Sequence, residues 1–330
     1  MRRAVAAGAL LIGSGLALMA FFSEFGVARR LPRRAETKPQ KRVSPVPAVV
    51  PILLDTDIGT DIDDAFALAL IIRSPEFDLV GVTTVSGDTQ RRARLAARIL
   101  SEAGMGIVPV VAGESGKPLP LEQARWAEGF SSPQVWKKPA VDFLRDAIDK
   151  LPGKITLVAI GPLTNVAKLI IRFPETAHKL KRIVLMGGSI AHGYGRNPRP
   201  AAEYNIMSDV RAAQSVFSSG IPILMVPLDV TAMHELDAGG QHRVFAHLTT
   251  LTNSLALLYH LWGGKTPVLY DAVAVAMVIK PDLCATRRLA VRVDARGFTR
   301  VERRKTPDAE VALETKRKDF FDFYLSRVAP

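Results

Sequence analysis

Five aspartates, Asp55, Asp57, Asp61, Asp63 and Asp64, stand within ten residues of the stretch PILLDTDIGTDIDDAFALALII. An apolar run precedes them and an apolar, helix-like run follows, so much of this charge must sit beside a core. Carboxylates packed this closely repel one another, and some stay protonated. A hard divalent cation such as Ca²⁺ or Mg²⁺ removes the conflict, because it prefers carboxylate, carbonyl and water oxygens. A turn at Gly59 allows Asp63 and Asp64 to fold back beside Asp55 and Asp57. A helix starting near Asp63 also favours anions in its first turn. The loop is not an EF-hand, which needs Gly at its sixth position and Glu at its twelfth. Counted from Asp55, those positions are Thr60 and Phe66.

Alternating segments supply the frame that positions these residues. VVPILL, FDLVGVTTV, GIVPVVAG, KITLVAI, KRIVLMGG and IPILMVPLD read as strands. DDAFALALIIRS, TQRRARLAARILSEAG, VDFLRDAIDKLPG, GPLTNVAKLIIRFP and SDVRAAQSVFSSG read as the helices between them. Near-continuous apolar strands alternating with helices predict an α/β fold, a single open, mostly parallel, Rossmann-like sheet with helices on both faces. Asp55, Asp88, Ile160-Gly161, Met186-Gly187-Gly188 and Asp229 all fall at carboxyl ends of these strands, the edge where open sheets bind ligands. The long connections 113–139 and 188–205 point to function as well.

The chain has 330 residues and a formal net charge of +12. Its first 47 residues hold nine Arg and Lys against two Glu, so +7 of that charge lies there. The remainder is unremarkable, and a nucleic-acid partner is not expected. Residues 1–24 combine a basic start with the 19-residue apolar run Ala4–Phe22 and read as a signal peptide or signal anchor. Residues 25–48 read as a basic, proline-rich linker, and 49–330 as the working domain. An exported domain is expected, periplasmic or extracellular, with membrane tethering through the N-terminus as an option. The single cysteine, Cys284, excludes an intrachain disulfide and a cysteine-based zinc site.

Taken alone, the aspartate loop leaves three chemistries open. ILLDTDIGTD loosely matches the strand-Asp-x-Asp loop of haloacid-dehalogenase-type phosphatases, although no convincing later acidic pair follows a strand. A non-enzymatic, calcium-stabilised sugar-binding module is the second; under the resemblance given next it becomes a calcium-bound ribose- or nucleoside-binding protein without turnover. The third comes from a resemblance. LLDTDIGTDIDDAFAL, GVTTVSGD, AVDFL, ITLVAIGPLTNVA, IVLMGG, AEYNIMSD, LDVT and YDAVAVA occur in the order found in the inosine-uridine preferring nucleoside hydrolases. Over about residues 51–279 the chain resembles that family.

The resemblance implies an open, largely parallel α/β fold and Ca²⁺-dependent hydrolysis of the N-glycosidic bond of ribonucleosides, giving ribose and a free base. Asp57 would bind the metal and act as general base on a metal-bound water. Asp64, Asp271 and the carbonyl of Ile160 would complete the metal ligands. Asp63 would hold the ribose 2′-hydroxyl, with Asp55 as a supporting neighbour. Glu203, Asn205 and Asn197 would contact the ribose. A homo-oligomer, dimer or tetramer, is also implied, as is a role in purine and pyrimidine salvage.

Departures concentrate around the leaving group. Tyr270 stands where many members have His before the last metal aspartate, and Asp88 stands where Asn is common. RWAEGF offers Arg125 and Trp126 in place of a His-Gly pair. Tyr270 is a weak acid at neutral pH. His192 is a candidate to reach the base and His234 to line the mouth, with a solvated or satisfied histidine the commoner case for each; Trp126 or Tyr204 could stack on a base or pack into the core. The family's common loop is two residues shorter than this one, which leaves Asp61 unplaced.

Overall fold

The computed structural model describes residues 49–302 and 306–330. The expected leader and linker, residues 1–48, lie outside the described residues. Among the described residues, no helix is long and apolar enough to cross a membrane.

Eleven strands are described: β1 (Val50–Thr56), β2 (Phe77–Thr84), β3 (Val110–Ala112), β4 (Val135–Trp136), β5 (Thr156–Ala159), β6 (Arg182–Met186), β7 (Ile223–Val226), β8 (Cys284–Leu289), β9 (Val291–Val293), β10 (Thr299–Val301) and β11 (Ala309–Thr315). Nine of them form one sheet in the order β4-β3-β2-β1-β5-β6-β7-β11-β8. Every pairing in it is parallel except β11 with β8. The mostly parallel, open sheet is therefore the expected one. The antiparallel edge β8 and the separate β9–β10 hairpin are additions that the segment reading did not contain.

The helices are α1 (Asp63–Ile72), α2 (Thr89–Glu102), α3 (Ala140–Lys150), α4 (Thr164–Arg172), α5 (Pro174–Ala177), α6 (Tyr204–Ser208), α7 (Val210–Phe217), α8 (Leu228–Thr231), α9 (Ala238–Phe245), α10 (Thr250–Trp262), α11 (Tyr270–Ile279) and α12 (Arg317–Val328). They cover both faces, because successive strand side chains point opposite ways. In β1, Ile52 and Leu54 join a core with α1, α2, α10 and α11. Leu53 joins the opposite core with α3, α4 and α7. A strand buried on both sides must be apolar throughout, which is why VPILL carries no alternation.

Strand order reverses around β1. The chain passes outward through β2, β3 and β4, then returns to place β5 on the other side of β1. The loops after β1 and β5 leave the sheet in opposite directions, and a crevice opens between them.

Candidate active site

Gly59 has φ +113°, a left-handed conformation that side chains resist, and it supplies the turn expected after β1. The turn returns the chain so that α1 begins at Asp63, with Asp63 and Asp64 in its first turn. Thr56 Oγ1 donates to Asp64 Oδ1 at 2.5 Å and accepts from the Ile58 amide at 3.1 Å. Asp271 stands in the first turn of α11, and its amide donates to Asp63 Oδ2 at 3.3 Å. The helices α1 and α11 pack together, so these two helices jointly present three buried carboxylates.

Carboxylate oxygens of Asp63, Asp64 and Asp271 lie within 4.8 Å of one another. Asp57 is buried beside them. Burial pushes the carboxyls of Asp63, Asp64 and Asp271 well above the usual range, and neighbouring carboxylates push further. Burial raises Asp57 to about 6 against the pull of the Arg92 guanidinium. An all-oxygen cluster that cannot ionise together on its own fits a hard divalent cation. This set can hold a metal ion.

A cavity of about 450 Å³ opens over the cluster. Asp57, Asp61, Asp63, Asp64, Asp271, Glu203, Asn205 and the Ile160 segment line it. So do Thr60, Leu119, Met186 and a wall of aromatic side chains, Tyr194, Tyr204, Trp262 and Tyr270. Asn205 Nδ2 donates to the carbonyls of Ile160 at 3.2 Å and Met186 at 3.1 Å, tying the ends of β5 and β6 together. Glu203 caps α6, accepting from the amides of Gly188, Asn205 and Ile206. Burial still raises its carboxyl to about 7.

The cavity does not gather every residue singled out from the sequence. Asp55 lies beneath it, inside β1, where Oδ1 accepts from Thr83 at 2.6 Å and Asn165 at 2.7 Å. Burial raises its carboxyl to about 7. Asp88 is exposed and caps α2, accepting from the Arg91 amide. Asn197 is exposed, and its Oδ1 accepts from the Arg199 amide in a local turn. His192 is exposed, with Nδ1 3.6 Å from Asp229. Asp229 itself is spent on the amides of Ile190, Ala191 and His192, holding the loop after β6.

Three further candidates lie outside the cavity. His234 is buried, its Nε2 is 3.2 Å from Thr315 Oγ1, and its ring packs on Phe320, away from the mouth. Trp126 lies under the Arg98 guanidinium at 4.3 Å and does not line the cavity. Arg125 is exposed and pairs with Glu122. The residues that do form the aromatic wall include two that sequence reasoning missed, Tyr194 and Trp262. Tyr194 Oη accepts from the Tyr204 amide at 2.9 Å, and its ring meets Tyr270 edge-on. Asp61, unplaced in the sequence, lines the rim, where its Oδ1 accepts from the Ile62 amide.

An open, mostly parallel α/β sheet of this kind is the fold of solved nucleoside hydrolases. A solved plant nucleoside hydrolase superposes with a TM-score of 0.76 at 25% identity, covering 85% of this chain and 99% of that one. The family model described as "Inosine-uridine preferring nucleoside hydrolase" matches residues 52–322, and the chain belongs to that family. Its relatives include the pyrimidine-specific ribonucleoside hydrolase RihA of Citrobacter koseri, 33% identical over 85% of this chain and 98% of that protein. Another is the non-specific ribonucleoside hydrolase RihC of Salmonella agona, 37% identical over 74% of this chain and 84% of that protein. The protein is thus a ribonucleoside hydrolase, an enzyme acting on N-glycosyl compounds, and the phosphatase alternative falls.

Proposed function

We propose that the enzyme hydrolyses ribonucleosides to ribose and free base in a Ca²⁺-dependent reaction, with Asp57 as general base. The observation that carries this reading is the convergence of Asp63, Asp64 and Asp271 within 4.8 Å, buried beside Asp57 under a nucleoside-sized cavity. Asp57, Asp64, Asp271 and the Ile160 carbonyl would hold the cation. Bound there, Ca²⁺ supplies Lewis acidity and lets the clustered carboxylates ionise together.

The chain's own groups do the rest. Asp57, with a pKa near 6, is ionised at neutral pH and takes a proton from the attacking water. Asp63, Glu203 and Asn205 grip the ribose hydroxyls and hold the anomeric carbon toward that water, a positional gain in rate. The sugar passes through an oxocarbenium-like state, and the surrounding carboxylates stabilise its charge. Burial raises the Tyr270 hydroxyl above its ordinary range, so it stays protonated and serves the departing base as a hydrogen-bond donor.

Relatives named pyrimidine-specific and non-specific bracket the base preference. The wall of Tyr194, Tyr204, Trp262 and Tyr270 offers ring faces, which suit purines and pyrimidines alike. We place the enzyme outside the cytoplasm, on the strength of the apolar N-terminal run, and fractionation of cells expressing the full chain tests that. Release of base from inosine, uridine and adenosine by the purified protein with Ca²⁺ tests the activity. Absence of release from all three, with or without the cation, sinks the reading.

A further inference from the structure

Arg92 is the largest fully buried side chain described, and nothing in the reaction above uses it. It lies on the inward face of α2, one turn from Leu95 and Ala96, where an apolar residue would ordinarily pack. Its guanidinium enters the back of the aspartate loop. Nη1 donates to the carbonyl oxygen of Asp57, to that of Ile58 at 2.9 Å and to Thr60 Oγ1 at 2.9 Å. Nε donates to the carbonyl of Ser86 at 2.8 Å. Ser86 has φ +68°, a conformation that side chains seldom hold without external support. One guanidinium therefore ties together the loops leaving β1 and β2.

Gln123 completes the arrangement from the long connection after β3. It is fully buried, and its Nε2 donates to the carbonyls of Asp61 at 2.7 Å and Thr60 at 3.4 Å. Between them, Arg92 and Gln123 hold the carbonyls of Asp57, Ile58, Thr60 and Asp61. Neither side chain lines the cavity.

We propose that Arg92, assisted by Gln123, is a positioning residue that fixes the backbone from Asp57 to Asp61 so that Asp57 and Asp64 meet the cation and the substrate in register. The inference rests on the metal-dependent reading above. A loop two residues longer than the family's common one has more conformations to lose, and the fork removes them before ligand arrives. The planar guanidinium does this with Nε on one loop and Nη1 on the other. A lysine keeps the charge but has no rigid fork to span two loops.

The test compares wild type, Arg92→Lys and Gln123→Leu after metal stripping. Calorimetry measures Ca²⁺ binding, steady-state kinetics on inosine measure kcat and KM, and thermal melts report folding. For a folded Arg92→Lys, Ca²⁺ affinity and kcat each fall by about tenfold or more, while KM moves less than threefold. Gln123→Leu shows the same pattern at about threefold to tenfold. A folded Arg92→Lys within twofold of wild type in both affinity and kcat overturns the proposal. If that variant does not melt cooperatively, the same criterion applied to Gln123→Leu decides. Wild type that binds no Ca²⁺ and releases no base overturns the metal-dependent reading itself, whereas a working wild type with indifferent variants overturns only the role of Arg92.

Discussion

Gly161 stands so close to Asp57 that a methyl group placed on it would lie 2.9 Å from both the amide nitrogen and Oδ1 of the aspartate. The loop after β5 thus presses its backbone directly against the proposed base. Gly161→Ala must push one loop away from the other. Displacements of about 1 Å in a reacting array cost on the order of 100-fold in rate, and that loss in kcat/KM is expected here. Gly106→Ala, whose added methyl meets nothing nearer than 3.6 Å, is expected to match wild type in the same assay.

Asp57→Asn keeps the shape of the side chain and removes the base. Turnover of inosine is expected to fall by about 100-fold to 10,000-fold, the usual worth of a general base. The circular dichroism spectrum should be unchanged. A variant with wild-type kcat would remove Asp57 from the role assigned to it.

Metal removal should make stability depend on pH in a definite direction. Burial raises the Asp55 carboxyl from 3.8 to about 7. The folded chain then holds a proton that the unfolded chain releases between these values. The contribution to stability is full below about pH 4 and is lost as pH rises through about 7. Metal-stripped protein should therefore melt lower at pH 8 than at pH 5.5; Asp57, Asp63, Asp64, Asp271 and Glu203, also raised by burial, act in the same direction, so Asp55→Asn should reduce that difference without abolishing it. Excess Ca²⁺ should raise the melting temperature at pH 8, since a ligand that binds only the folded state stabilises it. Equal melting temperatures at both pH values in the stripped protein would contradict the argument.

Tyr270→Phe separates leaving-group assistance from wall packing. The ring and its edge-on contact with Tyr194 persist, while the donor disappears. Hydrolysis of inosine is expected to slow by about tenfold, roughly what one hydrogen bond to a charged group is worth. Hydrolysis of p-nitrophenyl riboside, whose leaving group needs no donor, should hold its rate. Equal losses on both substrates would assign Tyr270 to packing alone.

The residues readable in advance were those whose type conflicts with their surroundings. Aspartates beside VPILL and AFALALII cannot be explained by solvation, so their gathering at the sheet edge follows from the sequence. The strands were visible because burial on both faces leaves an unbroken apolar run. β8 was not, because CATRRL is exposed along most of its length and lies at the sheet edge. Arg92 was hidden among the other arginines of an amphipathic helix, although its place on the Leu95–Ala96 face was a usable cue. Tyr194 and Asn197 lie three residues apart in one loop, where a backbone turn closed by the Asn197 amide on the Tyr194 carbonyl, together with the Tyr204 amide on Tyr194 Oη, leaves Tyr194 lining the cavity and Asn197 exposed. Local sequence carries no such information.

The bond between Asp63 and the Asp271 amide joins residues 208 positions apart. During synthesis, four carboxylates at the end of β1 and start of α1 emerge early, and their counterpart arrives only after most of the sheet has been made. Until then the early aspartates have no complete pocket for a cation and no partner helix against which to be buried. An N-terminal fragment is expected to bind Ca²⁺ poorly, and tight binding becomes a report that the chain has been finished and closed.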